Sequence, residues 1–218
     1  MSKTKGLQNL IKYLSSIPKS ASQKTQLGKS TIPTYEKVKK EFPSDARILD
    51  YGAGQGLGAK KIKADTFEPF PKKDFKPTFK DTNKIPSSSY ENVSSLNVLN
   101  VLQQNDRKKA VEEIGRILKP DGTAIISTRG MDVLNAKGTK GIEPMSIVTS
   151  RGTYQKGFKP QELKDYVQEV LGKNFTVDVL KNKIGAASIK IKKIKSEKMK
   201  VGGMVEKNNY NYNTQRTI

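Results

Sequence analysis

The chain contains no cysteine and no histidine. The first absence excludes disulfides, thiolate nucleophiles and cysteine-ligated metals. The second removes imidazole, both as a general base and as a metal ligand. Any catalysis must rest on carboxylates, lysine, tyrosine, amides, hydroxyls or plain positioning, and no metal is expected. Long apolar runs are missing too: none approaches the ~20 residues of a membrane span. The start, "MSKTKGLQNLIKYL", is basic, but polar residues interrupt its apolar ones, as in a helix and unlike a signal peptide. A cytoplasmic protein without a membrane partner is therefore expected.

What is present is a chain of 218 residues, 34% hydrophobic and 28% charged, enough for one domain with a sizeable core plus extensions. Its net charge is +20 and unevenly placed. Residues 1–44 hold nine Lys/Arg against two Glu, and residues 181–218 hold ten against two. Basic flanks of this kind attract polyanions through counterion release, which makes DNA or RNA an expected partner. Solubility is the competing explanation, because no aromatic ladder or nucleic-acid motif accompanies the lysines.

Leu7, Leu10, Ile11 and Leu14 recur at helical spacing, and Pro18 ends that element. "LGKS" at 27–30 is no P-loop, since Gln23 stands where its first glycine belongs. A short helix is expected from Tyr35 to Phe42. Residues 1–44 thus read as a basic helical extension and linker, 45–195 as the main domain, and 196–218 as a disordered polar tail.

Within the main domain, "RILDY" (47–51) reads as a buried strand and "LGAKKIK" as a short helix. "DTFEPF" (65–70) is a second strand, "TFKD" a weak third, and a fourth centres on Val93–Leu96. "NDRKKAVEEIGRILKPDG" is an amphipathic helix with Asp106 as its cap and Pro120 and Gly122 as its stop. "TAIIST" (123–128) is a fifth strand, and residues 129–157 form a long loop. "KPQELKDYVQEVLG" is another helix, and 175–180 and 186–194 make a closing hairpin. Strand–helix alternation ending in a hairpin implies an α/β sheet, mostly parallel with one antiparallel strand.

The first strand runs into "DYGAGQG", with Asp50 ahead of Gly52, Gly54 and Gly56. Such a turn lies where ligands bind in open α/β sheets, and glycine lets the backbone approach a ligand closely. Glu68, ending the next strand, is placed to accept hydrogen bonds from ribose hydroxyls. A dinucleotide stays open, because Gly54, Gly56 and Ala59 fit the looser G-x-G-x-x-A form. A carboxylate beside the turn suits an amino-bearing ligand better than a pyrophosphate.

These motifs resemble the class I, Rossmann-like S-adenosylmethionine-dependent methyltransferases over roughly residues 45–194. "LDYGAGQG" is similar to that family's first motif, which implies that Asp50, Gly52, Ala53, Gly54 and Gly56 hold the methionine part of S-adenosyl-L-methionine. Glu68 resembles the ribose-binding acid, and "KDTNKIP" the adenine segment, with Asp81 and Thr82 at the adenine amino group. "RILKPDGTAIIST" resembles the stretch leading into the fifth strand. The resemblance implies a seven-stranded sheet of order 3-2-1-4-5-7-6, strand seven antiparallel, with helices on both faces. "DYGAGQGLGA" and "SRGTYQKGF" also resemble methyltransferases of bacterial viruses, which would place the protein in a host cytoplasm.

The acceptor is less legible. Cytosine C5 methylation in related enzymes needs a cysteine adduct, which this chain cannot supply. The (D/N/S)-P-P-(Y/F/W) motif of exocyclic amino methylation is absent, its place reading Asn97-Val98-Leu99-Asn100. Asn97 or Asn100 is a candidate for orienting a substrate amine, and Asn97 also a cofactor contact; helix capping and a solvated face are the plain alternatives. Residues 129–158 are expected to form a substrate lid or wall, with Arg129, Arg151 and Tyr154 as candidate grips. A methyltransferase acting on nucleic acid or another acceptor is the leading expectation. The alternative is a non-catalytic S-adenosylmethionine-binding domain in a structural or interaction protein.

Overall fold

A computed structural model describes residues 32–42, 46–181 and 184–195. The helix expected from Leu7 to Leu14 and the tail from 196 onward lie outside the described residues.

The central sheet has six strands: β1 (Ile48–Tyr51), β2 (Asp65–Phe67), β3 (Tyr90–Leu96), β4 (Leu118–Thr128), β8 (Phe175–Val179) and β9 (Ala187–Lys193). Their spatial order is β2-β1-β3-β4-β9-β8. β2, β1, β3 and β4 run parallel, while β9 is antiparallel to both β4 and β8. This is the expected order with its outermost third strand reduced to a single bridge between Phe67 and Phe79. The reason lies in threonine chemistry. Thr78 Oγ1 accepts the Thr66 N–H at 3.1 Å and Thr66 Oγ1 accepts the Thr78 N–H at 2.9 Å, so hydroxyls occupy ladder positions and pairing stops there.

Among the described residues four helices cover the sheet: α1 (Ile32–Lys40), α2 (Leu57–Ile62), α3 (Gln104–Ile117) and α4 (Pro160–Leu171). Asp106 does not cap α3; it sits inside the first turn, where a carboxylate still complements the helix dipole. At α4, Pro160 supplies the preset first turn and the Glu162 carboxylate accepts the Lys159 N–H at 3.3 Å. α3 and α4 pack on one face through Val111, Ile114, Leu163 and Val167 against Val93, Ile126 and Ile189. α1 and α2 pack on the other, where Tyr35, Val38, Phe42 and Ile62 meet Ile48, Leu96 and Ile125. Burying a side chain such as Val38 contributes about 1.5–3 kcal/mol. α1 therefore belongs to the folded unit by packing, and residue 45 does not separate an extension from the domain.

Residues 129–157, expected as a loop, carry a second sheet. β5 (Gly138–Lys140), β6 (Ser146–Thr149) and β7 (Tyr154–Lys156) pair antiparallel in that order. Strands of three and four residues are too short for a period of two to stand out in a sequence. Among the described residues no helix is long and apolar enough to cross a membrane.

Candidate functional site

β1 and β3 lie side by side, but the chain leaves β1 toward one face of the sheet and β3 toward the other. The crevice between the two departing segments is where ligands bind in open α/β sheets. A cavity of about 500 Å³ opens there, within the ~300–1,000 Å³ range of small-molecule sites.

The turn after β1 forms one wall. Gly52, Gly54 and Gly56 all have positive φ, at 84°, 60° and 71°. The Gly52 and Ala53 amides both donate to Phe67 O, at 2.8 and 3.0 Å, which ties the turn to β2. Gly52, Ala53 and Gly54 line the cavity. Gly56 does not: a β-carbon there would sit 2.2 Å from the Phe75 ring. Its missing side chain serves internal packing, not approach to a ligand.

Glu68 lines the cavity and is nearly buried. One carboxylate oxygen accepts the Gly54 N–H at 2.8 Å and the other accepts the Phe70 N–H at 3.1 Å. An ionised carboxylate offers about four lone-pair sites, so two remain for a ligand. The same bonds link the acid to the glycine turn and fix its orientation.

Asp50 occupies a different place from the one its motif implied. It is fully buried below the turn and does not line the cavity. Its two oxygens accept from Tyr35 Oη at 2.8 Å and Ser94 Oγ at 2.9 Å. Burial pushes its carboxyl up to about 6; the Tyr35 and Ser94 hydroxyls pull it down and the Glu68 charge pushes it up. The group that reaches the cavity is Tyr35, whose ring also packs where Gly58 lacks a β-carbon, 2.0 Å from the position that atom would take.

Of the two residues expected at the adenine amino group, one lines the cavity and one does not. Thr82 lines the cavity. Asp81 is exposed and caps the short 3-10 turn at Thr82–Lys84, accepting the Asn83 N–H at 2.9 Å. Thr82 is held from α3: Arg116 donates to Thr82 O at 3.1 Å and pairs with Glu113 at 2.8 Å. The Arg116 guanidinium holds the Glu113 carboxyl below its usual range. Asp106, Lys109, Ala110 and Glu113, one face of α3, line this side and were not anticipated. Their spacing of three and four is a helix face, but a mixed polar one, which a search for apolar stripes passes over.

Asn97 lines the far end of the cavity in a left-handed conformation (φ 58°), its N–H donating to Ser127 O at 2.8 Å. It caps no helix. Asn100 is buried rather than on a solvated face, and its Nδ2 donates to Gln155 Oε1 at 3.0 Å. Tyr154 is buried with its hydroxyl on Glu143. Arg129 Nε donates to Asp132 at 2.8 Å on the surface, and Arg151 is exposed. None of Asn100, Arg129, Arg151 and Tyr154 lines the cavity, and neither does any other residue of 129–158. The expected lid stands one layer behind the wall.

That layer is polar and organised by Arg107 of α3, which is 1% exposed. Its guanidinium pairs with Glu143 at 2.9 and 2.8 Å and donates to Leu99 O at 3.1 Å and Leu102 O at 2.9 Å. Burial pulls the guanidinium down, but the Glu143 bonds more than offset this and hold it firmly charged. The place of Arg107 three, four and seven residues before Ala110, Val111 and Ile114 puts it in phase with the buried face of α3, a signal that a search for apolar residues alone passes over.

A methyltransferase-domain family model matches residues 25–174. Among curated proteins, none matches in sequence. Solved structures with the same fold include the Burkholderia thailandensis 1,6-didemethyltoxoflavin-N1-methyltransferase with bound S-adenosylhomocysteine, at TM-score 0.54 and 13% identity over 89% of this chain and 92% of that one. The S-adenosylmethionine-bound amino pentose methyltransferase CalS10 of Micromonospora echinaspora aligns at TM-score 0.54 and 12% identity, over 76% and 92% of the two chains. A Thermotoga maritima S-adenosylmethionine-dependent methyltransferase, described as a possible histamine N-methyltransferase, aligns at TM-score 0.52 and 17% identity, over 76% and 89%.

Proposed function

The chain belongs to the methyltransferase-domain family, and from that premise we propose that it transfers the methyl group of S-adenosylmethionine to an acceptor arriving beside Asn97 and Val98. The observation that carries this reading is Glu68, held by the Gly54 and Phe70 amides at the rim of the glycine-walled cavity with lone pairs to spare. Gly52, Ala53 and Gly54 take the amino-acid end of the donor, Glu68 the ribose hydroxyls, and Thr82 with the α3 face the adenine. Asp50 acts beneath them, through Tyr35 and Ser94, and is not a ligand of the donor.

The bound sulfonium supplies an already activated methyl group. The chain's own work is then to align the acceptor and exclude water. Apolar Leu96, Val98 and Val101 wall the methyl end and keep it dry. A neutral amine attacks through its own lone pair, S-adenosylhomocysteine leaves as the S–CH3 bond breaks, and the ammonium product sheds its proton to solvent, so neither histidine nor cysteine is required. An amine on a small molecule fits a half-open cavity of this size, in keeping with the amino pentose and toxoflavin acceptors named for the structural relatives.

A nucleic-acid acceptor is a second reading. It is favoured by the lysines on and beside the two packed helices α1 and α2, Lys39 and Lys40 with Lys60 and Lys63, all exposed. One experiment separates the readings. Protein and methyl-labelled S-adenosylmethionine are incubated with small-molecule, DNA, RNA and protein fractions. Label in the small-molecule fraction supports the first reading, and label in nucleic acid the second. Binding of S-adenosylmethionine without transfer to any fraction would instead indicate a non-catalytic cofactor-binding domain.

A further inference from the structure

We propose that Arg107 is a positioning residue for methyl transfer, and that through it the three-stranded insert β5–β7 sets the shape of the donor cavity. The inference rests on the donor reading above. The insert contributes nothing to the cavity lining, yet its buried polar groups converge on the segment that does.

That segment runs from Val98 to Leu102, and Val98, Val101 and Leu102 face the cavity. Its backbone makes only a single 3-10 turn, Leu99–Val101, with one bond from the Val101 N–H to Val98 O at 3.1 Å. So short a turn has little stability of its own. Two of its carbonyls, Leu99 and Leu102, end on the Arg107 guanidinium. The planar fork of arginine matches these two acceptors and the Glu143 carboxylate at once, which a lysine ammonium cannot do.

Glu143 is where the insert enters. It receives both Arg107 bonds and the Tyr154 hydroxyl, and Gln155 of the same strand accepts from Asn100 inside the turn. The Arg107 side chain is almost wholly buried and its ion pair largely so, so solvent does not screen the link as it would a surface pair. Breaking one partner leaves the other charge buried, and the turn is the element free to move in response. A displacement of the insert therefore reaches Val98, Val101 and Leu102 through Arg107.

The test uses full-length protein and titration calorimetry with S-adenosylmethionine and S-adenosylhomocysteine. Arg107→Met and Arg107→Lys are each expected to weaken both ligands by about tenfold or more, with Glu143→Gln intermediate and non-additive with Arg107→Lys. The comparison variant is Lys193→Met, which removes bonds to Gly115 O and Leu118 O at the opposite end of α3. It should lower thermal stability but hold ligand affinity within about twofold. Hydrogen exchange at the Val101 amide should quicken in the Arg107 variants and not in Lys193→Met. Affinity within about twofold of wild type in Arg107→Lys, or a loss no larger than that of Lys193→Met at equal thermal destabilisation, overturns the proposal. If Arg107→Met does not fold, Arg107→Lys and Glu143→Gln carry the test. If wild type binds neither ligand, the donor reading fails, and the Val101 exchange rate decides the positioning role on its own.

Discussion

Replacing Asp50 by asparagine should reverse part of the protein's response to pH. In an unfolded chain this carboxyl ionises near its ordinary value of 3.8; buried beneath the glycine turn it is pushed up to about 6. The folded state thus holds the proton more tightly than the unfolded one. By linkage, the contribution of Asp50 to stability is fully present below pH 3.8 and is lost as pH rises toward 6. A rise of about two units at about 1.4 kcal/mol each corresponds to a loss of about 3 kcal/mol. The substituted amide would be neutral at every pH, nearly isosteric, and able both to accept from and donate to the Tyr35 and Ser94 hydroxyls. The assay is urea unfolding of wild type and Asp50→Asn at closely spaced pH values from about 4 to 7. The quantity of interest is the difference between the two proteins. Glu91, Glu113 and Glu143 are held below the usual carboxylate range and carry the opposite slope, but they are common to both and cancel. Wild type should lose about 2–3 kcal/mol relative to the variant over the window. A flat difference, or wild type gaining with pH, would refute the reasoning, because the two hydroxyl bonds would then outweigh the burial.

Other substitutions probe the cavity itself. Gly52→Ala places a methyl 2.4 Å from Val98 Cγ2 at a φ of 84°, and should cost about 1–2 kcal/mol in left-handed strain before the clash is counted. Urea midpoints and calorimetry with S-adenosylmethionine should both show the loss. Glu68→Gln turns one acceptor into a donor facing the Gly54 or Phe70 N–H; a drop of about tenfold or more in S-adenosylmethionine affinity is expected, read by calorimetry. Gly58→Ala drives a methyl into the Tyr35 ring, and should destabilise by about 1–3 kcal/mol with faster hydrogen exchange along α1, read by mass spectrometry.

What the sequence made legible depended on the range of the interactions involved. The Gly52–Gly54 turn, Glu68 and the succession of strands and helices were legible, because glycine spacing, an acid after a strand and hydrophobic periodicity are local signals, whereas the strand order was implied only by the family resemblance. The short β5–β7 strands were not, because three residues hold no period. Asp81 does not line the cavity, because its carboxylate is taken up by its own turn, at Asn83. Gly56 and Asp50 show the same limit from inside a motif. Both match its pattern, yet Phe75 fills the space beside one and Tyr35 and Ser94 enclose the other.

Residue order was enough for the α/β succession of elements, for the absence of thiol and imidazole chemistry, and for the glycine turn that walls the cavity. Each follows from residue type or from neighbours within a few positions. It took packing in three dimensions to make α1 a wall of the cavity, to set Asp50 beneath the turn, and to hold the 129–157 segment behind the lining. Those outcomes depend on Tyr35 meeting Asp50 across 15 positions, Ser94 meeting it across 44, and Arg107 meeting Glu143 across 36. Contacts at such separations form only when packing brings whole elements together, and no pattern along the chain records which of them it will be.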